Sequence, residues 1–391
     1  MLVYDAEYHV GIRADDDSDR AAADNSARLN DLLAAGKVNG SFPFVAPDFP
    51  AGPATHDVYF DRKAYFFKNP IITPDRLGLI GILGNNGASC YAYGQNQYSK
   101  QGSMYRGGKV TRFIWKNAGD CRSLFQVHGH GFNIHGIQLF ARPYLIESGN
   151  GPIGGSCAPI GIEICGGGGV ASGGHSFSDM TLLDCKKAIA ATRSDGEDHA
   201  DNCHITKVNF CDAENCLYLD NQQAVCYNIN SCRVTGFGNA HDTIFVNAFR
   251  GGNIWTRGLD INVPKFTLLQ TSWFSSNQCE FDFQNIKFDH FEWKNASSTQ
   301  WYFKPFVYDP YFEPNYEHSV PIGSKLDWVS WRVRCTGQFP NFERDVPVSF
   351  EFNDSKAAVG INRKDLLFDV KGLPTANMTL RGDGPWWYPN G

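Results

Sequence analysis

Acidic side chains are concentrated in one turn near the middle of the chain. Asp195 and Glu197 lie in the stretch DGEDHAD, and Asp242 follows further along the sequence. Cleavage of a glycosidic bond requires two carboxyl groups about 5 to 9.5 Å apart, one acting as a general acid and the other as a base or nucleophile. We therefore take Asp195, Glu197 and Asp242 as candidate catalytic residues. The same charges also fit a solvated surface turn with no catalytic role.

Two further sets of residues are candidates for substrate binding. Trp255 and Trp273 would offer stacking surfaces for sugar rings if their indoles are exposed, or would fill a core or subunit interface if they are not. Arg233 and Asp260 occupy equivalent outward positions of the repeat described below, and Lys287 follows at the same position. These three would form a basic site of the kind that a lyase uses, or a ladder of surface salt bridges.

Metal and cofactor chemistry have little support in the sequence. The histidines at 128, 130 and 135 lie close together but have no acidic or Cys partner at a metal-ligand spacing. Twelve Cys in 391 residues are too few for a disulfide scaffold and fit buried thiols. We predict no metal site and no cofactor.

Charge and hydropathy exclude two classes of partner. The formal net charge is −6, and no run of Lys and Arg exceeds two, so no basic face for nucleic acid is expected. The chain has no run of eighteen apolar residues, so we expect no membrane insertion. The opening MLVYDAEYHVGIRADDDSD also lacks the basic and apolar regions of a secretory signal.

A six-residue frame, apolar-x-x-apolar-x-apolar, recurs through the first three quarters of the chain. Clear copies begin at Ile134, Phe177, Ile205, Ile229 and Phe283, and weaker copies begin at Thr55, Leu77, Val110, Cys157 and Thr256. The second half of the frame has strand periodicity, and no helical stripe separates the copies. One strand-rich repeat per 20 to 33 residues without crossover helices predicts an all-β solenoid of stacked parallel strands.

The elements that flank the repeats suggest how the solenoid ends. A helix over residues 24–36 would cover the first repeat, with Asp24, Asn25 or Ser26 at its start. The predicted segments are an N-terminal segment with the capping helix (1–54), the parallel β-helix (55–300), a Pro- and Tyr-rich linker (301–323) and a C-terminal β-sandwich or oligomerisation module (324–391).

Four stretches resemble the N-terminal part of pectate-lyase-like right-handed parallel β-helix proteins. They are IRADDDSDRAAADNSARLNDLLAAG, DVYFDRKAYFF, RLGLIGILGNNGA and TRFIWKN. The chain departs from the family pattern at Asp61 and Arg62, where the family has Pro and Gly. Gly129-His130-Gly131 matches a motif of the polygalacturonases, but their other motifs are absent, so a histidine in a strand turn explains it better.

The resemblance implies a right-handed parallel β-helix and a protein that handles polysaccharides, because the family includes pectate lyases, polygalacturonases and phage tailspikes. Since the chain shows no secretory signal, we expect a tailspike-like virion protein, a homotrimer in contact with other virion proteins, that binds and could depolymerise a bacterial surface polysaccharide. Two alternatives remain open: a secreted glycoside hydrolase or polysaccharide lyase, and a structural or adhesive spike without catalysis. The expected location is the virion or the extracellular space.

Overall fold

A computed structural model of the protein describes most of the first three quarters of the chain and parts of the rest. The described residues are 2–35, 56–73, 77–85, 110–141, 158–165, 172–192, 200–221, 224–235, 243–250, 252–263, 265–271, 279–288, 302–308, 331–340, 345–354 and 367–371. They form one α-helix, a short 3-10 turn at Ala118–Asp120 and 27 strands. In chain order the elements are β1 (Leu2–Asp5), α1 (Asp19–Ala35), β2 (His56–Tyr59), β3 (Ala64–Phe67), β4 (Ile71–Ile72), β5 (Leu77–Leu83), β6 (Thr111–Trp115), β7 (Ser123–Val127), β8 (His130–His135), β9 (Ile137–Phe140), β10 (Ile160–Cys165), β11 (Ser172–Gly173), β12 (Ser176–Ser178), β13 (Thr181–Leu183), β14 (Lys187–Thr192), β15 (Ala200–Asp201), β16 (His204–Thr206), β17 (Asn209–Cys211), β18 (Asn215–Asp220), β19 (Tyr227–Thr235), β20 (Thr243–Arg250), β21 (Ile254–Asn262), β22 (Lys265–Thr271), β23 (Cys279–Phe288), β24 (Tyr302–Tyr308), β25 (Trp331–Pro340), β26 (Asp345–Asp354) and β27 (Leu367–Lys371).

The strands form two mainly parallel sheets. The smaller sheet has eight strands in the order β4-β7-β10-β14-β18-β20-β22-β24, and each pair is parallel. The larger sheet has nineteen strands and is parallel as far as β25, after which β26 and β27 pair antiparallel. No α-helix separates successive parallel strands in the described ranges, as the strand periodicity predicts.

The stacked core residues confirm the clear copies of the repeat. Pairing between strands places the first residues of six copies on one another, and they are Ile134, Phe177, Ile205, Ile229, Thr256 and Phe283. Five of the six are buried hydrophobic side chains, and Thr256 is buried with them. Steps of 24 to 28 residues separate the copies from Phe177 onward.

Four of the weaker copies are out of register. Strand pairing aligns Val58 and Ile82 with Ile134, which is the first residue of a clear copy. It aligns Phe113 with Leu139, which is the last residue of that copy. Ile160, assigned to the copy at Cys157, lies in the smaller sheet instead. In these early repeats more residues separate the two halves than the frame allows, because Val58 and Ile82 align with Ile134 while Tyr65 and Phe113 align with Leu139.

A backbone bend explains why residues three apart both face the core. The third residue of each copy has a positive φ: Gly136, Asp179, Lys207, Ser231, Gly258 and Asn285. Side chains of a regular strand point alternately into the core and out to solvent. A residue in the left-handed region bends the chain, so that the residues on both sides of the bend can point into the core although they are three positions apart. The two halves of each copy therefore run along adjoining faces of the larger sheet while both contribute buried side chains.

The helix α1 begins earlier than the sequence indicates and lies against the first strands. It starts at Asp19 rather than at residue 24, because the Ser18 hydroxyl accepts a hydrogen bond from the Ala21 amide at 3.2 Å. Asn25 and Ser26, the expected capping residues, are instead fully buried. The Ser26 hydroxyl accepts from the amides of Lys68 and Asn69.

Asn25 joins three chain segments. Its Oδ1 accepts from the Arg13 amide at 2.8 Å, and its Nδ2 donates to the carbonyls of Arg13 and Phe66 at 2.9 and 3.0 Å. Replacing Asn25 with Ala leaves one buried amide and two carbonyls without their partner, so we expect Asn25→Ala to lower the free energy of unfolding by about 2 kcal/mol. Urea denaturation measures the loss. Arg20→Ala, on the exposed side of the same helix, is the control and should change stability by less than about 0.5 kcal/mol; equal losses in the two variants would contradict the role of Asn25.

The N-terminal end of the core is aromatic. Phe113 lies with its ring centroid 4.6 Å from that of Phe60 and 4.9 Å from that of Phe67, and Trp115 stacks on Phe67 at 5.0 Å. All four side chains are fully buried. Packing of this kind adds to the stabilisation from burial alone.

Seven cysteines have described side chains, and these seven are free thiols. Six of them are buried and Cys226 is half-buried. Burial raises the pKa of Cys203 and of Cys232 to about 12, so both stay protonated at neutral pH. Burial of six of these side chains fits core cysteines, and the reduced state of the twelve Cys stays a prediction.

Two observations bear on the segments expected from the sequence. β1 lies in the N-terminal segment and pairs in parallel with β2. β24 lies in the expected linker and pairs in parallel with β22, so the smaller sheet continues into it. The segment boundaries themselves stay a prediction. In the described part of the chain no helix has the length and apolar character that crossing a bilayer requires.

Candidate functional site

One face of the larger sheet carries a row of polar side chains, exposed or half-buried except for the buried Asp282, and we call it the polar face. Its residues alternate along the strands with the buried first residues of the repeat. The polar face comprises Ser176 and Ser178 of β12, His204 and Thr206 of β16, Asn228 and Asn230 of β19, Trp255 and Arg257 of β21, and Asp282 and Gln284 of β23. Five stacked strands give it a width of about 19 Å at the usual spacing of parallel strands.

Trp255, a predicted substrate-binding residue, lies within the polar face. It is half-buried and is in register with Asn228 on one side and Asp282 on the other. The Gln284 amide donates to Asp282 Oδ2 at 2.9 Å and orients that carboxylate. An indole beside amide and carboxylate groups offers an apolar surface for a sugar ring and donors and acceptors for its hydroxyls.

Side-chain contacts at the bend join three successive repeats beside the polar face. His135 Nδ1 is 2.9 Å from Ser178 Oγ and 3.5 Å from Asp179 Oδ2. Asp179 also forms an ion pair with Lys207, with Nζ 3.9 Å from Oδ1. These contacts tie the bends of neighbouring repeats to one another.

Arg233 and Asp260 lie beyond the bend, on the adjoining face of the larger sheet. Their side chains form an ion pair, with Arg233 Nε 3.3 Å from Asp260 Oδ2. Lys287 is next in register but makes no ion pair within the described residues. The first two residues thus have the geometry of a surface salt bridge, and their part in substrate binding stays a prediction.

Four predicted site residues lie outside the described residues. They are the three catalytic candidates Asp195, Glu197 and Asp242, and the aromatic candidate Trp273. Their roles stay predictions.

The smaller sheet carries a buried carboxylate that the sequence analysis missed. Glu163 is 1% exposed, and its oxygens accept from Arg122 at 2.6 Å, Ser123 at 2.7 Å and Thr192 at 2.7 Å. Three donors satisfy the charge, which supports a structural role at the end of β14. The available signal was a single Glu within the apolar strand IGIEIC.

Ser172, at the start of β11, and His175, just before β12, form a buried pair in the larger sheet. Ser172 Oγ is 2.9 Å from His175 Nε2, and the Phe132 amide donates to His175 Nδ1 at 3.3 Å. Because Nδ1 accepts, Nε2 carries the proton and donates to Ser172, so His175 cannot serve as a base for that hydroxyl. Both side chains are fully buried, which also excludes access by a polymer.

The remaining histidine candidates are turn and strand residues. His130 is half-buried between Gly129 and Gly131, which have φ values of 71° and 75°. Nowhere in the described ranges do three His, Cys, Asp or Glu side chains gather as metal ligands would.

No protein-family model matches the sequence, and no curated protein matches it. Two solved structures are similar at low scores. ORF18 of Geobacillus virus E2 has a TM-score of 0.37 at 10% identity over 94% of this chain and 76% of that chain. The DFA-IIIase of Arthrobacter chlorophenolicus A6, in complex with GF2, has a TM-score of 0.31 at 10% identity over 79% of this chain and 91% of that chain. At such scores function has to be argued from the residues of this chain.

Proposed function

We propose that the parallel sheets wind as a right-handed parallel β-helix whose polar face binds a bacterial surface polysaccharide. The observation that carries the proposal is the half-buried Trp255, in register between Asn228 and Asp282. Extended polymers suit this geometry because one strand spacing separates each polar row from the next, so that contacts repeat along the stack.

The winding is supported by the order of strands in the two sheets. Successive strands of the smaller sheet alternate along the chain with successive strands of the larger one, with no helix between them in the described residues. Repeats of 24 to 28 residues stack their buried residues directly. The helix α1 takes the capping position because its side chains hydrogen-bond to the backbone at β3 and β4.

A polysaccharide-binding β-helix suits a tailspike, so the proposal extends to a tailspike-like virion protein that assembles as a homotrimer in contact with other virion proteins. Light scattering of the purified chain tests the assembly. A trimer supports it, and a stable monomer contradicts the spike while leaving glycan binding intact.

Binding is tested on an array of purified bacterial capsular and O-antigen polysaccharides. We expect selective binding, and we expect Trp255→Ala to weaken it about tenfold because an aromatic contact of about 1.4 kcal/mol is lost. Tyr8→Ala is the matched control, since Tyr8 is 67% exposed at the other end of the chain and should not affect affinity. Binding to no polysaccharide, or equal affinity of Trp255→Ala and the parent, refutes the assignment.

Cleavage is a separate matter from binding. Release of reducing ends without an unsaturated product indicates a hydrolase, and an unsaturated, ultraviolet-absorbing product indicates a lyase. A bound but intact glycan indicates an adhesive protein. The candidates Asp195, Glu197 and Asp242 are the first to replace if cleavage is found.

A further inference from the structure

Among the described side chains, the free charges of the polar face and its border have one sign. Arg257 lies on the polar face and is exposed, and Lys287 is exposed just beyond the bend. Neither side chain makes a hydrogen bond or ion pair with another described residue. The cations therefore face solvent without a counter-charge from the described part of the protein.

The acidic groups nearby are already engaged. Asp179 lies near His135 and Lys207, and Asp260 pairs with Arg233. Asp282 is only 7% exposed and accepts from Gln284. An incoming ligand thus meets unneutralised cations, although the whole chain carries a net charge of −6.

Arg257 is also well placed relative to the aromatic platform. It follows Trp255 by two residues on the same strand, so the two side chains leave the same face about 6.6 Å apart. A guanidinium can donate two parallel hydrogen bonds to one carboxylate, which binds an acidic group in a fixed orientation. Stacking and charge recognition would then act on neighbouring parts of one polymer.

We propose that the polysaccharide is anionic and carries carboxylate groups that pair with Arg257 while a neighbouring sugar stacks on Trp255. Lys287 adds a second cation across the bend at Asn285. This inference rests on the proposed function and names the class of its ligand.

The array described above tests the inference if it contains both acidic and neutral capsular polysaccharides, together with phosphate-bearing teichoic acids. We expect the bound members to carry carboxylates and to lose affinity when salt is raised or when their carboxyl groups are chemically reduced to alcohols. Binding to neutral members only, or to teichoic acids only, overturns the inference but leaves the proposed function standing. Binding to nothing refutes the proposed function itself.

Variants give an independent measurement. Arg257→Gln should weaken binding of the acidic polysaccharide about tenfold, since hydrogen bonds to a charged group are lost, and should reduce the salt dependence. Arg257→Lys keeps the charge without the planar fork and should restore part of the affinity. Lys186→Gln removes the same charge from an exposed site off the polar face and is the control. Equal affinity of Arg257→Gln and Lys186→Gln overturns the inference.

Discussion

Replacing Gly136 with Ala should destabilise the protein by about 3 to 4 kcal/mol, whereas Gly258→Ala should cost about 1 kcal/mol. Both glycines take the third position of the repeat, with φ values of +73° and +75°. A Cβ on Gly136 would lie 2.4 Å from the Gly84 carbonyl oxygen. A Cβ on Gly258 would meet nothing nearer than Ser231 Cα at 3.7 Å. Both Ala variants therefore suffer the strain of a left-handed backbone, but only Gly136→Ala also brings a Cβ against a backbone carbonyl oxygen.

Urea denaturation of the two Ala variants measures the difference. Gly258→Asn is a further control, because Asn285 occupies the same position of the next repeat with a φ of 57°. Asn tolerates the left-handed region better than Ala does, so this variant should lose less stability than Gly258→Ala. If Gly136→Ala and Gly258→Ala lose the same stability, the close approach of Gly84 to Gly136 is not a constraint on the fold.

Acid should destabilise the protein through His175. Burial, with a smaller contribution from the charge of His130, lowers the pKa of His175 to about 3. The unfolded chain has a His pKa of about 6.5, so between these values it binds a proton that the folded state does not. The stabilisation is thus complete above about pH 6.5 and is lost as the pH falls towards about 3, by about 5 kcal/mol in all.

Denaturation at about pH 7.5 and about pH 4.5 tests the assignment, since the two conditions should differ by about 2.5 kcal/mol from His175 alone. In His175→Asn the amide oxygen can still accept from the Phe132 amide, but no ring can be protonated, so the difference should shrink by that amount. His135→Asn removes an exposed histidine and is the control, which should keep the full difference. An undiminished difference in His175→Asn would show that other groups cause the acid sensitivity.

The sequence predicted the class of structure better than the register. Strand periodicity and the absence of helical stripes led to parallel strands because buried positions must repeat wherever strands stack. The start of α1 was misplaced because Asn25 and Ser26 are good capping residues that here bond to strand backbones instead. The copy at Val110 was misplaced because the two halves of that repeat, aligned at Ile82 and Phe113, are 31 residues apart in sequence, and a six-residue frame cannot span them.

The site was predictable only in part. Trp255 could be proposed because it falls in the last repeats, where an exposed indole would offer a stacking surface, and the structure places it half-buried on the polar face. The ion pair of Arg233 and Asp260 followed from the repeat, since equivalent outward positions become neighbours. A lone Glu in an apolar strand could have marked Glu163, but its donors Arg122, Ser123 and Thr192 are 29 to 41 residues away and could not be paired with it from the sequence.

The bend at the third position of the repeat has a consequence for how such a chain can evolve. Lys207, Ser231 and Asp179 all adopt the same left-handed angle there, so the shape of each coil does not depend on one residue type. In these three repeats the inward positions restrict the side chain more than the bend does, whereas at Gly136 the approach of Gly84 restricts it as well. Solvent-facing positions are then open to selection for new ligands at little cost in stability, and descendants can diverge beyond sequence recognition while keeping the same architecture.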